Sequence, residues 1–201
     1  KKHVELHHEL DIAYEHPGYD ILDKLKRPLG VKSNILSVQN RGEYALCACG
    51  EDGIRAFDIA FIDNKAFSER MTTAPVSPVG QRFHVPSKYC TFVTAPTTLA
   101  PDPTRKHFPE NKEGKVHPLY AYIYATDKYE GLILVQIATM IDGNPLNNFL
   151  KRELTFNPEG VLKGARHVAI VGTYAYVSCD IGIVVVDIND PTKPKGSRSW
   201  M

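Results

Sequence analysis

An all-β fold of repeated antiparallel sheets is predicted by three observations on the 201-residue chain. A hairpin-forming pattern recurs three times, each copy turns on a glycine, and polar, Pro-rich stretches separate the copies. The first copy runs GEYALCACGEDGIRAFDIAFID from Gly42 to Asp63, the second PLYAYIYATDKYEGLILVQIATMID from Pro118 to Asp142, and the third GTYAYVSCDIGIVVVDINDPTKP from Gly172 to Pro194.

In each copy a Tyr-Ala pair opens an apolar run, a short polar segment ends in Gly53, Gly131 or Gly182, and a second apolar run follows. A glycine at that point suits a turn needing positive φ, and the alternating, β-branched flanks suit two antiparallel strands. Further apolar runs, NILSVQ from Asn34 and ARHVAIV from Ala165, lie upstream of the outer copies and raise the unit to at least three strands. After the third copy, NDPTKP supplies turn signals that end one unit and start the next. Three or four strands with a turn-rich exit is what a β-propeller blade requires, and a blade cannot bury both faces alone, so the copies must stack.

The third copy, ARHVAIVGTYAYVSCDIGIVVVDINDPTKP, resembles the LVIVD-repeat β-propeller family, whose signature strand here is Gly182 to Ile188. The first copy departs from it with GIRAFDI and the second with GLILVQI, where Gln136 replaces the usual Asp. The resemblance implies propeller blades and an exported or cell-surface setting, periplasmic or extracellular. It implies no catalytic activity.

The expected organisation is a polar, His-rich lead-in over residues 1–30, then blades over roughly 31–80, 81–160 and 161–201. The turn glycines stand 78 residues apart from Gly53 to Gly131 and 51 from Gly131 to Gly182, more than the roughly 40–45 of a simple four-stranded repeat. Two insertions take up the excess. One, at 95–117, is rich in Pro and charge and reads as a surface excursion; the other, DGNPLNNFLKRELTFNPEG, is expected to hold a short helix from Leu146 to Leu154. About three blades do not close a propeller, so the chain is expected to be a piece of a longer one or to be completed by a partner. Lys1 is not a translation start, which adds to the expectation of sequence upstream.

A formal net charge of +1, from 24 Lys and Arg against 23 Asp and Glu, gives no global field to gather nucleic acid or an anionic surface. The basic residues Lys24, Lys26 and Arg27 form only a short patch without interleaved aromatics. No run approaches the ~20 apolar residues of a membrane-spanning helix. Cys47, Cys49, Cys90 and Cys179 form no CxxC pair; Cys47 and Cys49 share one strand face, which permits metal binding or a strained bridge but reads first as two small buried side chains, and a Cys90–Cys179 bridge is open to an exported protein.

Histidine is the main candidate for chemistry. His3, His7, His8 and His16 crowd the first 16 positions, and His3 and His7 would share one face of a helix at metal-ligand spacing, with Glu5, Glu9 and Asp11 near by. Arg82 or His84 and Arg166 or His167, placed before inner strands of two blades, could converge on a central channel, while His107 and His117 fall within the long insertion. Asp58 and Asp187 follow the apolar strand of their blades and are expected to cap turns; Tyr44, Tyr120, Tyr122, Tyr174 and Tyr176 are expected to pack between blades. Paired carboxylates, a nucleophile elbow, a phosphate-binding glycine loop and HExxH are missing.

The sequence therefore favours a non-catalytic, exported or cell-surface scaffold binding a protein partner, which includes the rest of its own chain. A propeller domain of a redox assembly, with a metal or a haem of a neighbouring domain or subunit, is the first alternative; a channel enzyme is the second. No cofactor is required by the residues themselves.

Overall fold

The computed structural model describes residues 34–42, 44–58, 82–96, 117–142 and 147–200. The His-rich lead-in, His107 and most of the long insertion lie outside the described residues. Among the described residues, twelve strands form three four-stranded antiparallel sheets. The first is β1 (Ser37–Arg41), β2 (Tyr44–Ala48), β3 (Ile54–Asp58) and β4 (His84–Val85); the second is β5 (Cys90–Thr94), β6 (Tyr122–Asp127), β7 (Gly131–Gln136) and β8 (Lys151–Phe156). The third is β9 (His167–Val171), β10 (Tyr174–Cys179), β11 (Gly182–Asp187) and β12 (Lys195–Trp200). Strand order follows chain order in all three, which is the meander of a propeller blade. No helix among the described residues is long and apolar enough to cross a membrane.

The sheets stack through alternate residues. On β6, Ile123 and Ala125 face the first sheet while Tyr122 and Tyr124 face the third; on β7, Ile133 and Val135 face one way and Leu132 and Leu134 the other. The first core adds Leu46, Ile54 and Val85, and the second adds Ala175, Val177, Val184 and Val186. This is why GLILVQ reads as an unbroken apolar run: a strand covered on both faces needs apolar residues at every position. The far face of the third sheet carries Val171, Tyr174 and Ile183, 61%, 41% and 44% exposed.

The three glycines open the outgoing strand of each hairpin with φ of 77°, 93° and 115° at Gly53, Gly131 and Gly182. Conformation is half of the reason. A Cβ on Gly131 would stand 2.8 Å from Asn157 Cβ, and one on Gly53 2.4 Å from the Val85 carbonyl oxygen, so the exits of outer strands β8 and β4 pack directly on these turns. The outer strands of the second and third sheets share a further device: the register against β8 shifts between Leu134 and Val135, and that against β12 between Val185 and Val186, three residues past the glycine in both. Such a bulge bends and twists the outer strand at the same place in each sheet.

Two expectations need correction. The segment expected to be a helix to Leu154 is strand β8 from Lys151, because the exposed ladder of β7 offers it a full set of backbone partners and overrides the helix propensity of Lys-Arg-Glu-Leu. Arg82 and His84 precede inner strand β5 in the chain but take no place in it. They belong to the outermost strand region of the first sheet, where His84 pairs with Arg55, far across the sheet from inner strand β1.

Replacing Gly131 by Ala is expected to destabilise the protein by about 2 kcal/mol or more, from positive φ and the clash with Asn157. Leu134→Ala, at a fully buried site, is expected to cost about 2–5 kcal/mol. Urea unfolding followed by far-ultraviolet circular dichroism checks both.

Candidate functional site

The residues singled out in the sequence do not assemble into one centre. His3, His7 and His8 lie outside the described residues, and among the described residues no group of three or more His, Cys, Asp or Glu is placed to hold a metal ion. His84 Nε2 donates to the Asp52 carbonyl at 2.6 Å, on the turn whose Asp52 carboxylate is ion-paired with Arg55 at 2.6 Å. His117 is buried and caps the short 3-10 turn Pro118–Ala121, its Nδ1 accepting from the Leu119 amide. His167 opens β9 with its ring centroid 4.1 Å from that of Phe92. Asp187 accepts from the Asn189 amide at 2.9 Å; the side chain of Asp58 lies outside the described residues.

The tyrosines divide. Tyr44 accepts a hydrogen bond from Asn148 across the first joint, Tyr120 lies under the Arg41 guanidinium, and Tyr122 is buried in the second core. Tyr174 and Tyr176 fall on the far face of the third sheet, since Ala175 and Val177 between them face the second.

All four cysteines are free and buried, so no Cys90–Cys179 bridge forms. Burial pushes the Cys47 thiol up to about 11 and the Cys49 thiol up to about 12, the latter also raised by its neighbour Cys47; the Cys90 thiol is pushed up further still. Thiols held protonated in this way are poor nucleophiles. Cys49 gives its S–H to the Cys47 carbonyl, and Cys179 lies within reach of the carbonyls of Val161 and Gly182.

The structure instead builds a cleft at the rim where the second and third sheets meet. Its volume is about 210 Å³, and Thr91, Lys128, Tyr129, Lys163, Arg166 and Asp180 line it. These come from four separate places: strand β5, the β6–β7 turn, the lead-in to β9 and the β10–β11 turn. Asp127, wholly buried, organises the first of those turns by accepting from the amides of Tyr89, Tyr129 and Glu130. Thr91 ties the joint together, its hydroxyl reaching Thr126 at 2.8 Å and the Ala165 carbonyl at 2.9 Å. The Gly164 amide donates to the Lys128 carbonyl at 2.9 Å and the Asp180 amide to the Lys163 carbonyl at 3.0 Å, so the three rim segments are stitched by main chain.

Gly164 forms the floor. Its φ of 72° is in the left-handed region that favours glycine, and a Cβ there would stand 2.1 Å from the Asp180 carboxylate, which would have to move aside. Arg166 is anchored by the Cys179 carbonyl at 2.9 Å and meets Asp180 at 3.3 Å, both side chains being more than half exposed. The Lys128 ammonium sits 5.4 Å from the Tyr129 ring centroid and 6.0 Å from that of Tyr89. The sequence singled out Arg166, which does stand just before β9, and gave no reason to single out Lys128, Tyr129, Lys163 or Asp180. The one available signal was position: all but Lys163 and Arg166 fall in the turns just before Gly131 and Gly182, and those two flank Gly164-Ala165 ahead of β9.

Folding linkage gives a testable pH window. His84 has its pKa lowered by burial, so the unfolded chain takes up its proton first and stability is lost as pH falls below about 6.5. The thiols act on the other side: Cys47 and Cys49 stay protonated when folded, so stability is lost as pH rises past about 8.5, where unfolded thiols ionise. The urea midpoint is expected to peak between those limits. At pH 8, iodoacetamide should leave all four cysteines unmodified in the folded protein and alkylate all four after denaturation, as read by intact mass.

Residues 164–201 match the model of the LVIVD repeat family, a segment that holds the Gly164 floor of the cleft and the whole third sheet. No curated protein and no solved structure matches the chain. The third blade thus matches the LVIVD repeat, and the three stacked four-stranded meanders have the fold of β-propeller blades.

Proposed function

We propose that the chain is a non-catalytic, exported or cell-surface propeller scaffold that binds a protein partner through the rim cleft between its second and third blades. The observation that carries the reading is the cleft itself, in which long cationic side chains and the exposed ring of Tyr129 project from turns fixed on stacked sheets. A rigid frame with exposed polar and aromatic tips is the layout of a binding surface, since little ordering remains to be done on association. At about 210 Å³ the cleft is smaller than the roughly 300–1,000 Å³ of pockets that enclose small-molecule ligands, and it suits one or two side chains of a partner.

The exported setting is what the LVIVD resemblance implies, and the thiol environments are compatible with it. Buried cysteines are shielded from oxidants, so four free thiols can persist in an oxidising compartment.

Photo-crosslinking in the native cells tests the reading. A benzophenone amino acid placed at Tyr129 is expected to give a discrete protein adduct, while the same group placed at Lys151, exposed on outer strand β8 at the opposite end of the second sheet, is expected to give none. Equal adducts from both positions, or none from Tyr129, would overturn it. Fractionation of the same cells reads localisation directly.

A further inference from the structure

We infer that the rim cleft takes acidic side chains, so that the partner presents a Glu- or Asp-rich segment; this rests on the scaffold reading above and names the chemistry of its partner. Three cations, Lys128, Lys163 and Arg166, border the cleft against one acid, Asp180. Asp180 is committed to Arg166, and no carboxylate pairs with either lysine among the described residues. Two ammonium groups thus face an open concavity that a chain of net charge +1 does not otherwise favour.

The form of the cleft selects carboxylates on flexible side chains over a tightly held phosphate. Phosphate sites are built on unpaired main-chain amides converging on one point. Here the amides are already used: Lys128 donates to the Tyr89 carbonyl, Tyr129 to Asp127, Gly164 to the Lys128 carbonyl, Arg166 to the Ser178 carbonyl and Asp180 to the Lys163 carbonyl. Recognition is left to side-chain point charges, with Tyr129, 55% exposed, offering a flat apolar flank for the methylenes of a glutamate.

Asp180 then has a second role. Its carboxylate occupies Arg166 in the unliganded protein as a resident stand-in for the partner's own acid, held over the side-chain-free surface of Gly164. Because both groups are largely exposed, the contact is weak and is readily exchanged. Removing the Asp180 charge should therefore tighten binding, a change of sign that a purely structural role for Asp180 would not produce.

The test uses the full chain and a fluorescein-labelled hexaglutamate peptide, followed by anisotropy at low ionic strength. Binding is expected to weaken with added salt, to weaken about tenfold in the Lys128→Glu/Lys163→Glu double variant, and to tighten about threefold in Asp180→Asn. Lys151→Glu, an equal charge change per residue on the opposite rim, should leave affinity within error, and the urea midpoints of these surface variants should match the parent. An equal loss in Lys151→Glu, no gain in Asp180→Asn, or competition by inorganic phosphate as effective as that of unlabelled hexaglutamate at matched ionic strength would overturn the inference. A partner crosslinked at Tyr129 without this charge dependence would remove the acidic partner and leave the scaffold; charge-dependent peptide binding without a cellular adduct would do the reverse.

Discussion

A sheet with two apolar faces is unstable until something covers each of them, and the middle blade shows how far that requirement governs this chain. Strands β6 and β7 send alternate residues into opposite cores, so Ile133 and Leu134, adjacent in sequence, are both fully buried against different neighbours. Each such side chain contributes on the order of 1.5–3 kcal/mol when removed from water, and none of that is realised by an isolated sheet on its open side. The flanking sheets therefore act as the solvent boundary of the middle one, and losing either would expose half of its apolar residues.

Stacking also sets positions that no single blade determines. Inner strand β5 is held to the first blade by a reciprocal pair of main-chain hydrogen bonds between Gly50 and Cys90, at 2.8 and 3.0 Å. On the outer side, Arg82 exchanges main-chain bonds with Asn148 and Leu150, carrying the lead-in of β8 back across the joint. With both ends of a joint tied by backbone, the rim turns have little freedom to shift, and side chains on them keep fixed separations.

What could be read in the sequence is what one hairpin determines by itself. Gly131 is legible because the turn demands positive φ locally, and the β6–β7 pairing follows from the runs on either side of it. The outer strands escaped because their identity is relational. Strand β4 is two residues long and carries no period, and β8 is composed of good helix formers that become strand only when β7 presents an open ladder. The cleft was illegible for the same reason: Lys128 and Lys163 become neighbours only after the third blade docks, and nothing in their own segments announces it. Tyr174 and Tyr176 are legible as repeat residues too, but no sheet among the described residues packs on the face of the third sheet that carries them.

The two joints show why chemistry gathers at the rim. At the first, the turn residue Asp52 is turned inward, its carboxylate paired with buried Arg55 and its carbonyl bonded to His84, so the corner is consumed by its own structure. At the second, buried Asp127 satisfies the turn amides from within and releases the side chains of Lys128 and Tyr129 outward. Both corners satisfy the same stacking geometry with different residues, because stacking constrains the strands and asks of the turn only a glycine and a partner for its amides. Residues free of that demand can diverge from blade to blade without cost to the fold, and on a repeat architecture this is where one joint can acquire a charge and a cleft that its neighbour lacks.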